Sequence, residues 1–268
     1  MTVSEPILTL LGVLMTVSFM LGLVVMTVWK IAKHGEFKPY FGGMFVYLCF
    51  SMCIKGLCDL LLLPLLPSDD TASAKLIYTL YNVLFAVTVE TLGRYMGFHV
   101  LHKTRNDRRD GISFGLGFGS AEAILSMGLT ALTYFSYALA MQDGSVSEII
   151  AGMSESDRAD FQQVLAQIAG LTVGDCVWAL AERALRLTLQ TSLAMLVFAA
   201  LRTPQKNLLA FSVLIELAAI LPMGLAQMAL IPQIVGQVVL GLGTVCAAVL
   251  AGRVYHAMPD LEPAARRL

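Results

Sequence analysis

Nine ionisable side chains interrupt the apolar stretches of this chain: the bases Lys55, Arg94, Arg183 and Arg186, and the acids Asp59, Glu90, Glu122, Glu182 and Glu216. Inside a membrane span each charge costs about 2.5 to 3.5 kcal/mol on insertion scales. Nine unpaired charges would cost on the order of 20 to 30 kcal/mol, more than a typical stability margin. They must therefore pair or line a polar cavity. Lys55 with Asp59, Glu90 with Arg94, and Glu182 with Arg186 stand four apart, the spacing of neighbours on one helix face. Glu122, Glu216 and Arg183 are left to meet between helices. Counted from the span ends, Glu90, Glu122, Glu182 and Glu216 all fall near mid-membrane, which predicts one shared cluster. Such carboxylates could hold a proton, activate water or bind a cationic group. The bland alternative is an ion-pair network that only specifies helix packing. His34, His99, His102 and His256 all lie at span ends, so neither a metal nor another cofactor is expected at the cluster.

The elements that must position these groups follow from composition. A chain of 268 residues, 57% hydrophobic and 14% charged, with mean hydropathy +0.74, belongs to the all-α polytopic membrane proteins. A net charge of −1 argues against nucleic acid as a partner. Cys49, Cys53, Cys58, Cys176 and Cys246 sit in apolar runs with neither disulfide-framework nor zinc spacing, and read as packing residues. Seven apolar runs are long enough to span a bilayer: Ile7–Trp29, Phe41–Leu66, Leu76–Leu101, Ile112–Met141, Leu171–Leu201, Leu208–Leu230 and Ile234–Val254. Gly111, Gly115, Gly119 and Ala123 recur every fourth residue in the fourth run, a smooth stripe where a neighbouring backbone can approach. Pro64 and Pro67 end the second run, and Pro222 should kink the sixth.

The one long polar connection, 142–170, carries Ser154 and Asp157 at capping-box spacing, followed by Phe161, Val164, Leu165 and Ile168 on one face. It predicts an interfacial amphipathic helix over about 154–168, or else a solvated extension of the fifth span. With the amino terminus outside, the cytoplasmic face receives Lys30, Lys33, Lys38, Lys103, Arg105, Arg108, Arg109, Arg202, Lys206, Arg253, Arg266 and Arg267. The outer face receives only Lys75 and Arg158. This asymmetry predicts seven spans, amino terminus out and carboxyl terminus in, as one helical domain over 1–257 with a disordered cytoplasmic tail, 258–268.

Three segments carry a family resemblance: E-x-x-x-R at Glu90–Arg94, GLGFGSAEAIL at Gly115–Leu125, and ERALRLTLQTSLAMLVF at Glu182–Phe198. In this order they resemble the YhfC family of intramembrane peptidases, relatives of the CAAX-processing and glutamic-type membrane proteases. The resemblance spans about residues 40 to 230. It implies a glutamate-dependent site in which Glu90, Arg94, Glu122, Glu182 and Arg183 are the catalytic candidates and Phe118, Arg186, Gln190 and Glu216 contact substrate. It also exposes substitutions. Val89 stands where the family's motif has a first glutamate, Phe118 and Gln190 stand where it has histidines, and a further histidine is expected near Glu216. The implied function is binding of a membrane-embedded peptide, lipidated protein or lipid-like substrate in a bacterial inner membrane, with hydrolysis weak or lost. An active peptidase, a proton-coupled carrier and a structural subunit are the alternatives.

Overall fold

The computed structural model describes residues 3–67, 69, 71–101 and 107–258. Asp70, His102, Lys103, Arg105 and the tail from Pro259, with Arg266 and Arg267, lie outside the described residues. Within them the chain is helical, without a strand. It forms α1 (Glu5–Lys33), α2 (Phe37–Tyr47), a π-helical stretch (Leu48–Ile54), α3 (Lys55–Leu62) and a 3-10 turn (Leu63–Leu65). Next come α4 (Ala72–Leu101), α5 (Arg108–Glu122), a second π-helical stretch (Ala123–Gly128) and α6 (Leu129–Asp143). The short α7 (Val146–Ala151) and α8 (Glu155–Ala169) precede α9 (Val173–Arg202), α10 (Asn207–Gln227) and α11 (Gln233–Ala257). Seven of the resulting runs, with α2–α3 and α5–α6 each counted as one, are long and apolar enough to cross a membrane.

Most helices run up to about a turn past the apolar stretches, because backbone hydrogen bonding continues into polar caps. Ser154 Oγ accepts from the Asp157 N–H at 3.3 Å, the capping contact its spacing foretold. Thr172 and Asp175 form a reciprocal box: the Thr172 N–H donates to Asp175 Oδ2 at 2.9 Å, and the Asp175 N–H to Thr172 Oγ1 at 3.2 Å. That box starts α9 afresh after Gly170, so α8 is a separate helix and not an extension of the fifth span. At the other end of the second span, Pro64 sits in the terminating 3-10 turn. The sixth helix continues through Pro222 to Gln227, and the chain then turns with Ala229 in the left-handed region, φ 56°.

The chain divides into two compact units. One comprises Met1–Gly22 and Glu122–Ala184, and the other Leu23–Ala121 and Leu185–Leu268. In the first, Phe161, Leu165 and Ile168 of α8 are buried among Val3, Ile7, Leu11, Ala138, Met141 and Cys176. The apolar face that the spacing marked is thus spent on packing against α1 and α6. In the second unit α10 packs on α4 and α11, and α2 on α4. Close approach there depends on glycine. A Cβ at Gly117 would overlap the Tyr40 carbonyl, and one at Gly43 the Phe114 carbonyl. Gly111, Gly115 and Gly119 face Phe198, Thr191 and Leu187 of α9, so the four-residue stripe meets a neighbouring helix as the spacing predicted. Of the seven spans α9 is the most enclosed, with 67% of its most apolar window buried against 6–33% for the others. Enclosure is what lets it carry polar side chains that lipid would reject.

Candidate functional site

The second unit holds a cluster of polar groups around Arg94, which is fully buried on α4. Its guanidinium meets Glu216 of α10 in a fork: Nη1 donates to Oε2 at 2.8 Å and Nη2 to Oε1 at 2.7 Å. Nη2 also donates to Glu90 Oε2 at 3.0 Å, one turn back on α4, and to Gln190 Oε1 of α9. The Gln190 amide returns a hydrogen bond to Glu90 Oε2 at 3.1 Å. Thr91 Oγ1 donates to Glu216 Oε2 at 3.4 Å. Above the guanidinium lies the Phe118 ring, 4.7 Å from its centroid, itself met edge-on by Tyr47 at 5.1 Å. A desolvated stack of this kind contributes roughly 2 kcal/mol or more.

Two carboxylates, one guanidinium and one amide therefore pair with one another in a largely buried cluster, the condition under which buried charge is tolerated. Solvent reaches them unequally. The Arg94 and Glu216 side chains are 0% exposed while Glu90 keeps 13%, so Glu90 is the accessible carboxylate of the cluster. Chemically the arrangement offers an accessible carboxylate beside a fixed positive charge. That carboxylate can serve as a base for water, while the Nη donors of the guanidinium are engaged within the cluster.

The structure thus brings together five of the expected residues: Glu90, Arg94, Gln190, Glu216 and Phe118. Arg186 is half-buried in the same unit and lines a separate cavity with Lys55. Glu122, Glu182 and Arg183 belong to the other unit. There Glu122 and Arg183 are buried, and the Arg183 Nε–H donates to Ser18 Oγ at 3.2 Å. Lys55 and Asp59 pair at 2.5 Å as their spacing foretold, and the Tyr81 hydroxyl donates to Asp59 Oδ1 at 3.0 Å. Sequence reasoning missed Tyr47 and Thr91. The one available signal was Thr91 as a hydroxyl neighbouring Glu90 within an apolar run.

Residues 17–240 match the YhfC intramembrane metalloprotease family. This chain belongs to that family. It is 27% identical over 237 residues to the "Uncharacterized membrane protein YhfC" of Bacillus subtilis (strain 168), covering 85% of this chain and 88% of the relative. No solved structure matches it. Seven apolar helices and a relative named as a membrane protein make it an integral membrane protein.

The YhfC description implies a metal, and the donor set here does not suit one. Both Glu216 oxygens are taken by Arg94, whose permanent positive charge lies within 3.0 Å of the Glu90 oxygen as well. A zinc ion placed there would meet that charge and find an amide and a phenyl ring, where it ordinarily takes imidazole or thiolate. Among the described residues, no three His, Cys, Asp or Glu side chains converge elsewhere to hold one.

Proposed function

We propose that this YhfC-family protein binds a membrane-embedded peptide at the Arg94 cluster and hydrolyses it weakly or not at all. The observation that carries the reading is the neighbourhood of Arg94. The two positions at which the family resemblance implies histidine, 118 and 190, both contact its guanidinium, one as a phenyl ring and one as an amide. A general base survives in Glu90, while groups that would ligate a metal or donate to an oxyanion are replaced. Losses of that kind lower rates by orders of magnitude. The cluster accordingly retains hydrogen-bonding capacity for a peptide backbone exposed in a span. We further propose that the protein resides in a bacterial cytoplasmic membrane with its amino terminus outside, supported by the bias of lysine and arginine among the connections.

The test uses purified protein in nanodiscs and fluorescent single-span helical peptides. Saturable binding that Glu90→Gln and Gln190→Leu weaken, with cleavage at the protein-free background, is expected. Robust wild-type cleavage abolished by Glu90→Gln would replace this reading with an active glutamate-dependent peptidase.

A further inference from the structure

A second polar space lies in the same unit, one helical turn from the Arg94 cluster. It is a cavity of about 390 Å³ between the second span, α4, α9 and α10. Ala86, Arg186 and Ile220 line it, and each stands four residues from a member of the cluster: Glu90, Gln190 and Glu216 respectively. Four residues on a helix is one turn on one face, so the cavity abuts the cluster along three helices.

The lining is chemically one-sided. Lys55 and Arg186 line it, and no carboxylate does among the described residues. Asp59 neutralises Lys55 from outside the lining, where Tyr81 holds its other oxygen. The Lys55 ammonium gives one N–H to Asp59 at 2.5 Å and one to Asn82 Oδ1 at 3.4 Å. An ammonium has three donors, so a third is left for the cavity. Asn82 presents its acceptor to Lys55 and spends its amide N–H on the Tyr78 carbonyl at 3.0 Å. The lining also includes the apolar side chains of Val83, Ile220 and Met223. Two bases facing a partly apolar chamber inside a membrane bundle form a receptor for an oxyanion on an apolar chain.

We infer that this cavity is a binding subsite for the anionic head, carboxylate or phosphate, of an amphiphilic ligand, with Lys55 and Arg186 as its anchors. Binding itself is independent of the Arg94 cluster. Its role as the site that presents a ligand to Glu90 rests on the functional reading above.

Calorimetric titration of the full chain in dodecyl maltoside, against protein-free micelles, tests it with four probes: dodecyl phosphate, laurate, inorganic phosphate and dodecyltrimethylammonium. Saturable binding of the first two, and none of the last, is expected. Dodecyl phosphate and laurate distinguish a phosphate head from a carboxylate, and inorganic phosphate shows whether the chain is needed. Losing one charge-assisted anchor should weaken binding about tenfold or more in Arg186→Gln, with partial recovery in Arg186→Lys. Because Lys55→Gln alone strands Asp59, the paired Lys55→Gln/Asp59→Asn variant is used beside it, and the same loss is expected. Glu90→Gln should leave anion binding intact, so failure of the peptide-binding reading and failure of this one are separable. Equal affinity for the ammonium probe, or undiminished binding in both the Arg186→Gln and the paired variants, would overturn the subsite.

Discussion

Among single residues, Arg94 is the one whose burial most needs its partners. Its fork onto Glu216 uses both carboxylate oxygens, whereas its contact with Glu90 uses one. Removing one partner of a buried pair leaves a stranded charge and typically destabilises by about 3 to 5 kcal/mol. Arg94→Leu should therefore lower the melting temperature of the detergent-solubilised protein sharply. Adding Glu216→Leu should recover more of that loss than adding Glu90→Leu, since Glu216 is fully buried and Glu90 is not. Thermal melts of the three variants check this, and additive losses in both doubles would contradict the network. The sequence made the Glu90–Arg94 and Lys55–Asp59 pairs legible because helical spacing is local. It could not assign Glu216 and Gln190 to Arg94, since pairing across helices depends on rotations and depths that periodicity does not carry. Depth counting put Glu90, Glu122, Glu182 and Glu216 at one level; the structure gathers Glu90 and Glu216 within one unit, and Glu122 and Glu182 fall in the other.

At the scale of elements, glycine placement separates packing from filler. Gly117→Ala would drive a methyl group into the Tyr40 backbone, and the expected cost is about 1 to 3 kcal/mol or more, as for an overpacked core. Gly241 on α11 meets open space, so Gly241→Ala should be neutral or stabilise by roughly 0.5 to 1 kcal/mol through the entropy of the unfolded chain. Denaturation of the two variants side by side would show it; equal effects would contradict the packing described for α2 and α5. The Ser154→Ala substitution should cost about 1 kcal/mol through loss of its cap. Spans and the Ser154 cap were readable because apolar runs and capping residues are local signals. The Thr172–Asp175 box was equally present in the sequence, but it lies inside an otherwise apolar run that masks it. The two π-helical stretches, Leu48–Ile54 and Ala123–Gly128, have no comparable sequence marker.

For the whole molecule, seven apolar helices and the family match make this an integral membrane protein of the YhfC family. Orientation is tested on a background lacking native cysteines. Ser145→Cys should react with an impermeant thiol reagent from outside the cell, Gln205→Cys should not, and the reversed pattern would overturn the proposed topology. We propose that the scaffold of the YhfC family persists here while the imidazoles that the resemblance implies do not. The direct measurement is cleavage of helical peptides by wild type, by Phe118→His/Gln190→His, and by that double variant carrying Glu90→Gln, each with zinc or chelator. Repacking at position 118 costs about 1 to 3 kcal/mol, so a melting curve accompanies each assay. The account predicts background cleavage by wild type, a gain of at least about tenfold in the double variant, and loss of that gain with Glu90→Gln. Wild type cleaving as fast as the double variant, in a Glu90-dependent manner, would contradict it.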